Sequence, residues 1–251
     1  MTVGAAKRNL VEVSGLRVCY GRYEAVKGVS FCLREGEVLG IVGESGSGKS
    51  TIAKALMKLE EVSSGTVAID PSSTMQMIFQ DAVGSLNPRM TARATLCEVL
   101  VLNGERDPGR RAEELVEAVG LPPAALDQYP REMSGGQCQR VSIARALATG
   151  SDILVADEPV SALDVSVQAR ILNLLRRLNR EKGLSIILIA HDLAVVKNIC
   201  DRVVVMEKGV AVDSGETGEV FASPRSDYTK RLLAAVPGKK LKPAPARIAD
   251  Y

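Results

Sequence analysis

Near the N-terminus apolar and polar residues alternate, and further along the chain the period changes. Leu10 to Val13, Leu16 to Tyr20 and Ala25 to Leu33 read as antiparallel strands punctuated by Gly15, Gly21 and Gly28. Glu37 to Val42 (EVLGIV) is instead a short apolar run, the pattern of a strand buried on both faces of a parallel sheet. From Lys49 to Leu59 the apolar residues Ile52, Ala55, Leu56 and Leu59 return at helical spacing. Two more short strands, Gly65 to Ile69 and Met75 to Phe79, are separated by the breaker Asp70-Pro71-Ser72-Ser73.

From Thr91 to about Gly120 the period is helical, with Arg110, Arg111, Glu113, Glu114 and Glu117 forming a solvated face beside Ala112, Leu115, Val116 and Val119. Pro122, Pro123 and Pro130 interrupt it, and Ser134 occupies the N-cap position of a helix running to about Ala148. Strand and helix then alternate: Ile153 to Ala156, Val165 to Glu181, Ser185 to Ala190, Asp192 to Cys200 and Arg202 to Met206. Such alternation predicts an α/β fold, a parallel sheet with covering helices. No internal repeat is evident. The tail from Pro237, rich in lysine and proline, is expected to be loosely ordered.

Composition narrows the class. A chain of 251 residues with 46% hydrophobic content can bury a full core. A formal charge of +2 is too small to argue for nucleic acid or an anionic membrane as main partner. No apolar run approaches the roughly 18 residues a bilayer span requires, and the N-terminus lacks a signal-peptide core, so a cytosolic chain is expected. Cys19, Cys32, Cys97, Cys138 and Cys200 are scattered and without C-x-x-C spacing, which suggests buried thiols rather than disulfides or a metal cluster.

Chemistry enters between the EVLGIV strand and the helix after it. Gly43-Glu44-Ser45-Gly46-Ser47-Gly48-Lys49-Ser50, followed by Thr51, fits the G-x-x-x-x-G-K-[ST] phosphate loop in its required strand–loop–helix setting. Its glycines let successive N–H groups face one anion, and the helix that follows adds the positive end of its dipole. Lys49 would reach the β- and γ-phosphates of a nucleotide, and the Ser50 hydroxyl would take one position on Mg²⁺. A second signal is Ile153-Leu-Val-Ala-Asp-Glu-Pro159, an apolar strand ending in two acids where ligands bind in open parallel sheets. Asp157 would contact the metal or one of its waters, and Glu158 would polarise the attacking water. Alone, such a pair often only caps the next turn. A third is Met133-Ser134-Gly135-Gly136-Gln137, where a serine hydroxyl, two glycine amides and a helix terminus form an anion site without a lysine of its own.

With two phosphate-binding devices in one chain, the sequence resembles the nucleotide-binding subunit of ATP-binding cassette transporters, whose signature is Leu-Ser-Gly-Gly-Gln; Met133 stands in the first position here. The resemblance covers nearly the whole chain. It implies a phosphate-loop cassette over residues 1–236, with a mainly parallel core sheet, an N-terminal antiparallel β-subdomain and an inserted helical subdomain at about 84–145. The tail would then be 237–251. It further implies that Tyr20 stacks on adenine, that Gln80 ligates Mg²⁺ and senses the nucleotide, and that His191 contacts the γ-phosphate and holds the water. His191 is the single histidine of the chain, and by itself would read as a capping or core residue. In the family two cassettes pair head to tail. Ser134 to Gln137 of one subunit would therefore face the ATP on the phosphate loop of the other, with Asp164 at the same interface; Asp164 alone reads as a helix-start acid.

Phe79-Gln80-Asp81, Ser85-Leu-Asn-Pro-Arg-Met90, Ser161-Ala-Leu-Asp-Val-Ser-Val-Gln-Ala169 and Tyr228-Thr-Lys-Arg-Leu-Leu233 resemble the peptide and nickel importer branch. Ser226-Asp227 stands for the usual His-Pro, Ala82 for a proline, Val160 for a threonine and Cys138 for an arginine. The resemblance implies an ATP-hydrolysing subunit energising uptake of peptides, nickel or a related small solute, peripheral at the cytoplasmic face of the inner membrane. Its partners would be integral-membrane permease subunits, a second cassette and, indirectly, an external solute-binding protein. The permease would be touched by Leu86 to Met90 and the helices around Thr91 to Leu102. The alternatives are a cassette of a cytosolic enzyme complex of the carbon–phosphorus lyase type and a soluble non-transport ATPase; the near-neutral charge and the lack of a tandem cassette speak against the latter.

Overall fold

The structure, a computed structural model, describes residues 8–161 and 163–235. The expected loosely ordered tail lies outside these residues. The chain opens with β1 (Asn9–Tyr20), β2 (Tyr23–Arg34) and β3 (Val38–Val42), then α1 (Lys49–Leu56), β4 (Ser64–Ile69) and β5 (Met75–Ile78). A helical stretch follows, α2 (Ala92–Leu102), α3 (Pro108–Ala118) and α4 (Gly135–Ala148), with short 3-10 turns between the last two. The remainder alternates: β6 (Ile153–Asp157), α5 (Val165–Lys182), β7 (Ser185–Ala190), α6 (Leu193–Ile199), β8 (Arg202–Glu207), β9 (Val210–Glu216), α7 (Thr217–Ala222) and α8 (Asp227–Ala235).

Two sheets result. The first is antiparallel, in the order β2-β1-β4; the second has the order β5-β6-β7-β3-β8-β9 and is parallel except for β9. Successive side chains on a strand point to opposite faces, so the central strands feed two cores. Leu39 and Ile41 of β3, Val155 of β6 and Ile187 and Ile189 of β7 pack with α1 and the antiparallel sheet. Val38, Val42, Leu154, Ala156, Ile186 and Leu188 pack on the other face against α2 to α6. Burial on both faces is why these strands read as continuous apolar runs.

The elements depart from the sequence expectation in four places. Leu10–Val13 and Leu16–Tyr20 form one strand, β1, because Gly15 at φ 60° is taken up as a register shift between Val13 and Leu16 rather than as a break. Helix α1 stops at Leu56: Lys58 turns left-handed at φ 57°, and Leu59 is 58% exposed instead of joining the apolar stripe. The Thr91–Gly120 helix is two helices, split where Asn103 and Gly104 (φ 79°) end the first and Asp107 caps the second. Strand β9 and helices α7 and α8, unread in the sequence, close the fold.

Candidate nucleotide site

Four neighbouring parallel strands end at the same edge of the sheet, and each is followed by a residue singled out from the sequence. Gly43 follows β3, Gln80 lies just beyond β5, Asp157 ends β6 with Glu158 next to it, and His191 follows β7. The carboxyl ends of parallel strands are where open α/β sheets bind ligands.

The phosphate loop is tightly held. A side chain at Gly43 would meet the Met206 carbonyl oxygen at 2.2 Å, and one at Gly48 (φ 99°) the Ala25 carbonyl oxygen at 2.5 Å, so both positions require glycine. Lys49 is 4% exposed, and its Nζ donates to the carbonyl oxygens of Gly43 and Glu44, both at 2.8 Å. Burial holds this ammonium below its ordinary pKa, opposed by the charges of Glu158 and Asp157. Ser50 Oγ donates to Asp157 Oδ1 at 3.0 Å. Burial pushes the Asp157 carboxyl up, against the lowering effect of the Ser50 hydrogen bond; Glu158 pushes it further up, while Lys49 and Lys54 pull it down.

Glu158 is the centre of the second half. Its backbone is left-handed at φ 44°, a strained conformation for a residue with a side chain, fixed by its N–H donating to the Ile189 carbonyl at 3.1 Å. Its Oε2 accepts from Gln80 Nε2 at 3.2 Å and lies 3.5 Å from His191 Nδ1. Ser161 Oγ supports the corner by donating to the Glu158 carbonyl at 3.1 Å. Gln168 braces the segment that follows, donating to the carbonyls of Val160 and Leu163 at 3.0 and 2.9 Å.

Between the two halves lies an open cleft of about 270 Å³ lined by the phosphate loop, Thr51, Gln80, Glu158 and two tyrosines. Tyr20 and Tyr23 both face it, 43% and 60% exposed, so the expected adenine-stacking position has two candidate rings. A smaller pocket of about 60 Å³ on the other side of Glu158 is lined by Glu158 to Ser161 and His191.

Ser134 to Gln137 do not line this cleft. They form a capping box at the start of α4: Ser134 Oγ accepts from the Gln137 amide at 3.3 Å, and Gln137 Oε1 from the Ser134 amide at 2.8 Å. Gly136 lets this helix end approach α5, since a Cβ there would fall 2.5 Å from Val167. Asp164 caps α5, accepting from the Val167 amide at 3.0 Å and Ser166 Oγ at 2.7 Å, and these bonds hold its carboxyl below the usual range. Sequence reasoning missed the outer support of the phosphate loop. The Tyr228 hydroxyl accepts from the Glu44 amide at 3.0 Å, and the Gly209 amide donates to the Ser47 carbonyl at 3.1 Å. Tyr228 lies in a segment already notable by resemblance, whereas Gly209 carried no signal beyond a turn.

The fold and the loop geometry are those of a phosphate-loop α/β protein, with the residues singled out for nucleotide gathered at its strand ends. The family described as ABC transporter matches residues 26–161. The chain is 49% identical over 232 residues to the oligopeptide transport ATP-binding protein OppF of Salmonella typhimurium, covering 85% of this chain and 70% of that one. It is 44% identical over 251 residues to the putative oligopeptide transport ATP-binding protein YkfD of Bacillus subtilis, covering 91% and 76%. Among solved structures it is similar to the ATP-binding cassette MJ0796 in a dimeric, post-hydrolysis state bound to ADP and Pi, with TM-score 0.74 and 29% identity over 82% of this chain and 98% of that one. CbiO1 of Clostridium perfringens, part of the ABC transporter complex cbiONQ, gives TM-score 0.77 and 28% identity over 86% and 91%. The chain belongs to the ABC transporter family, as one of its ATP-binding, ATP-hydrolysing cassettes.

Proposed function

We propose that this cassette powers the uptake of peptides through separate integral-membrane permease subunits, bound peripherally at the cytoplasmic face of the inner membrane and supplied by an external solute-binding protein. The catalytic reading is carried by one observation: Gln80 and His191 converge on Glu158 Oε2 beside the phosphate loop. The solute class is supported by OppF, named as an oligopeptide transport ATP-binding protein, and by YkfD, named as a putative one; this favours peptide over nickel, and a transporter over a cytosolic enzyme assembly. Among the described residues no helix is long and apolar enough to cross a membrane, so a membrane role calls for partners. Val101 and Leu102, 59% and 80% exposed at the end of α2, supply an apolar surface suited to such a contact.

In this reading the phosphate loop receives the ATP phosphates, and Lys49 leaves its two carbonyl partners to reach them. Tyr20 stacks on the adenine. Ser50 and Asp157 offer a hydroxyl and a carboxylate oxygen 3.0 Å apart, a hard-donor set that fits Mg²⁺, with Gln80 as a further ligand. Mg²⁺ characteristically takes few protein ligands, and phosphate oxygens and water would complete its shell. When bound, the ion supplies charge neutralisation at the phosphates. Glu158 accepts the proton of the attacking water, and His191 holds that water and the γ-phosphate. The capping box of Ser134 to Gln137 and the Asp164 turn face a second cassette, whose ATP they close over, in keeping with the dimeric state described for MJ0796.

Uptake of a labelled oligopeptide into cells carrying Glu158→Gln in the chromosomal copy tests the proposal. The expected result is loss of uptake restored by the unaltered gene; undiminished peptide uptake would refute it.

A further inference from the structure

The C-terminal helix reaches the phosphate loop through one side chain. Tyr228 stands in the first turn of α8 and is only 5% exposed. Its hydroxyl accepts the Glu44 amide at 3.0 Å, the first amide after Gly43. The approach of α8 is fixed from β9. The Asp213 carboxylate, 6% exposed, accepts from the amides of Ser226 at 2.9 Å and Arg225 at 3.4 Å, and Ser226 Oγ accepts from the Tyr228 amide at 3.1 Å. The Arg231 guanidinium lies 5.9 Å from the Tyr228 ring centre and 3.7 Å from Glu207.

A second brace comes from the turn joining β8 and β9. Lys208 and Gly209, at φ 49° and 89°, make a two-residue hairpin turn; Gly209 donates to the Ser47 carbonyl at 3.1 Å and accepts from the Lys27 amide at 2.8 Å. The loop closes on itself through Ser47 N–H to the Glu44 carbonyl at 3.2 Å. Among the described residues the amides of Ser45, Gly46 and Gly48 find no protein acceptor. The outer side of the loop is thus tied down while these amides stay available for an anion.

We infer that Tyr228 is a positioning residue for nucleotide: its hydroxyl, tethered through Ser226 to Asp213, holds the Glu44 peptide so that the phosphate loop is ordered before ATP arrives. The inference rests on the nucleotide reading of this loop. A glycine-rich loop ordered only on binding would spend part of its binding free energy on that ordering, and a pre-set loop does not. The device lies outside the cleft and contacts no reacting atom.

The test uses the full chain and titration with ATP and ADP. Tyr228→Phe keeps the ring and removes the acceptor, so the Kd for both nucleotides and the KM for ATP should rise about fivefold, with kcat at saturation within about twofold of the unaltered protein. Asp213→Ala should weaken binding by a similar factor, and the double variant should be no weaker than the worse single one, because both changes break the same tether. A purely structural tyrosine would lower the melting midpoint and leave KM unmoved, and unchanged nucleotide affinity in Tyr228→Phe overturns the inference. If the unaltered chain binds no nucleotide, or Lys49→Ala binds as tightly as the unaltered chain, the site reading itself fails. If Lys49→Ala loses binding while Tyr228→Phe does not, only the tether fails.

Discussion

His191 Nδ1 lies 3.5 Å from Glu158 Oε2, the same oxygen that accepts Gln80 Nε2 at 3.2 Å. Three residues from the ends of three different strands are thus joined on one carboxylate, whose backbone is held in a left-handed corner at φ 44°. Such strain persists where the surroundings over-determine it, here by the Ile189 carbonyl and Ser161.

If Glu158 takes the proton of the attacking water, Glu158→Gln should keep ATP affinity while turnover falls by about a hundredfold or more. With the γ-phosphate retained, the paired state should accumulate. Size-exclusion chromatography with ATP and Mg²⁺ is expected to show a dimer for this variant; a monomer under those conditions counts against the paired-cassette mechanism.

Asp157 gives a stability prediction whose sign is set by burial. Its folded pKa lies above the ordinary 3.8, so the fold favours the protonated form. The stability this group contributes is present below the unfolded value and is lost as pH rises through the folded one. At pH 7 the ionised carboxylate therefore costs the nucleotide-free protein stability. Asp157→Asn should melt at a higher temperature than the unaltered chain at pH 7, and the difference should shrink as the pH is lowered into the acid range. An equal or lower midpoint at neutral pH would show that the Ser50 hydrogen bond and the lysines outweigh burial.

Two rings face the cleft, and only one is assigned to adenine. Tyr20→Ala should weaken binding of a fluorescent ATP analogue by about 1 kcal/mol, roughly fivefold in Kd, while Tyr23→Ala leaves it unchanged. Unchanged affinity in Tyr20→Ala would transfer the role to Tyr23, the more exposed of the pair.

The half of the site that was legible lies where the chemistry is local in sequence. The strand–loop–helix of Gly43 to Ser50 and the acids ending β6 each carry their own context, since an apolar run stops where a polar group must begin. Gln80 and His191 have no such frame; resemblance singled them out, and the sheet order brings them to Glu158. Long-range supports left almost no trace. Glu44 and Tyr228 are far apart in sequence, and nothing in either neighbourhood announces the hydrogen bond between them. Glycine misled in both directions: Gly15 read as a strand end but is absorbed into a bulge of β1, whereas Gly104 ends a helix that periodicity alone continues. Strand β9 went unread because its pattern is that of an edge, with Asp213 as its one buried residue.

This cassette is proposed to drive a membrane permease. Capture of the tagged full chain from detergent-solubilised membranes, followed by mass spectrometry, tests it most directly. The expected result is recovery of polytopic permease subunits, together with a second cassette protein or a second copy of this chain. Recovery of soluble enzymes alone, with no integral-membrane protein, would contradict it and leave an ATPase without a transporter.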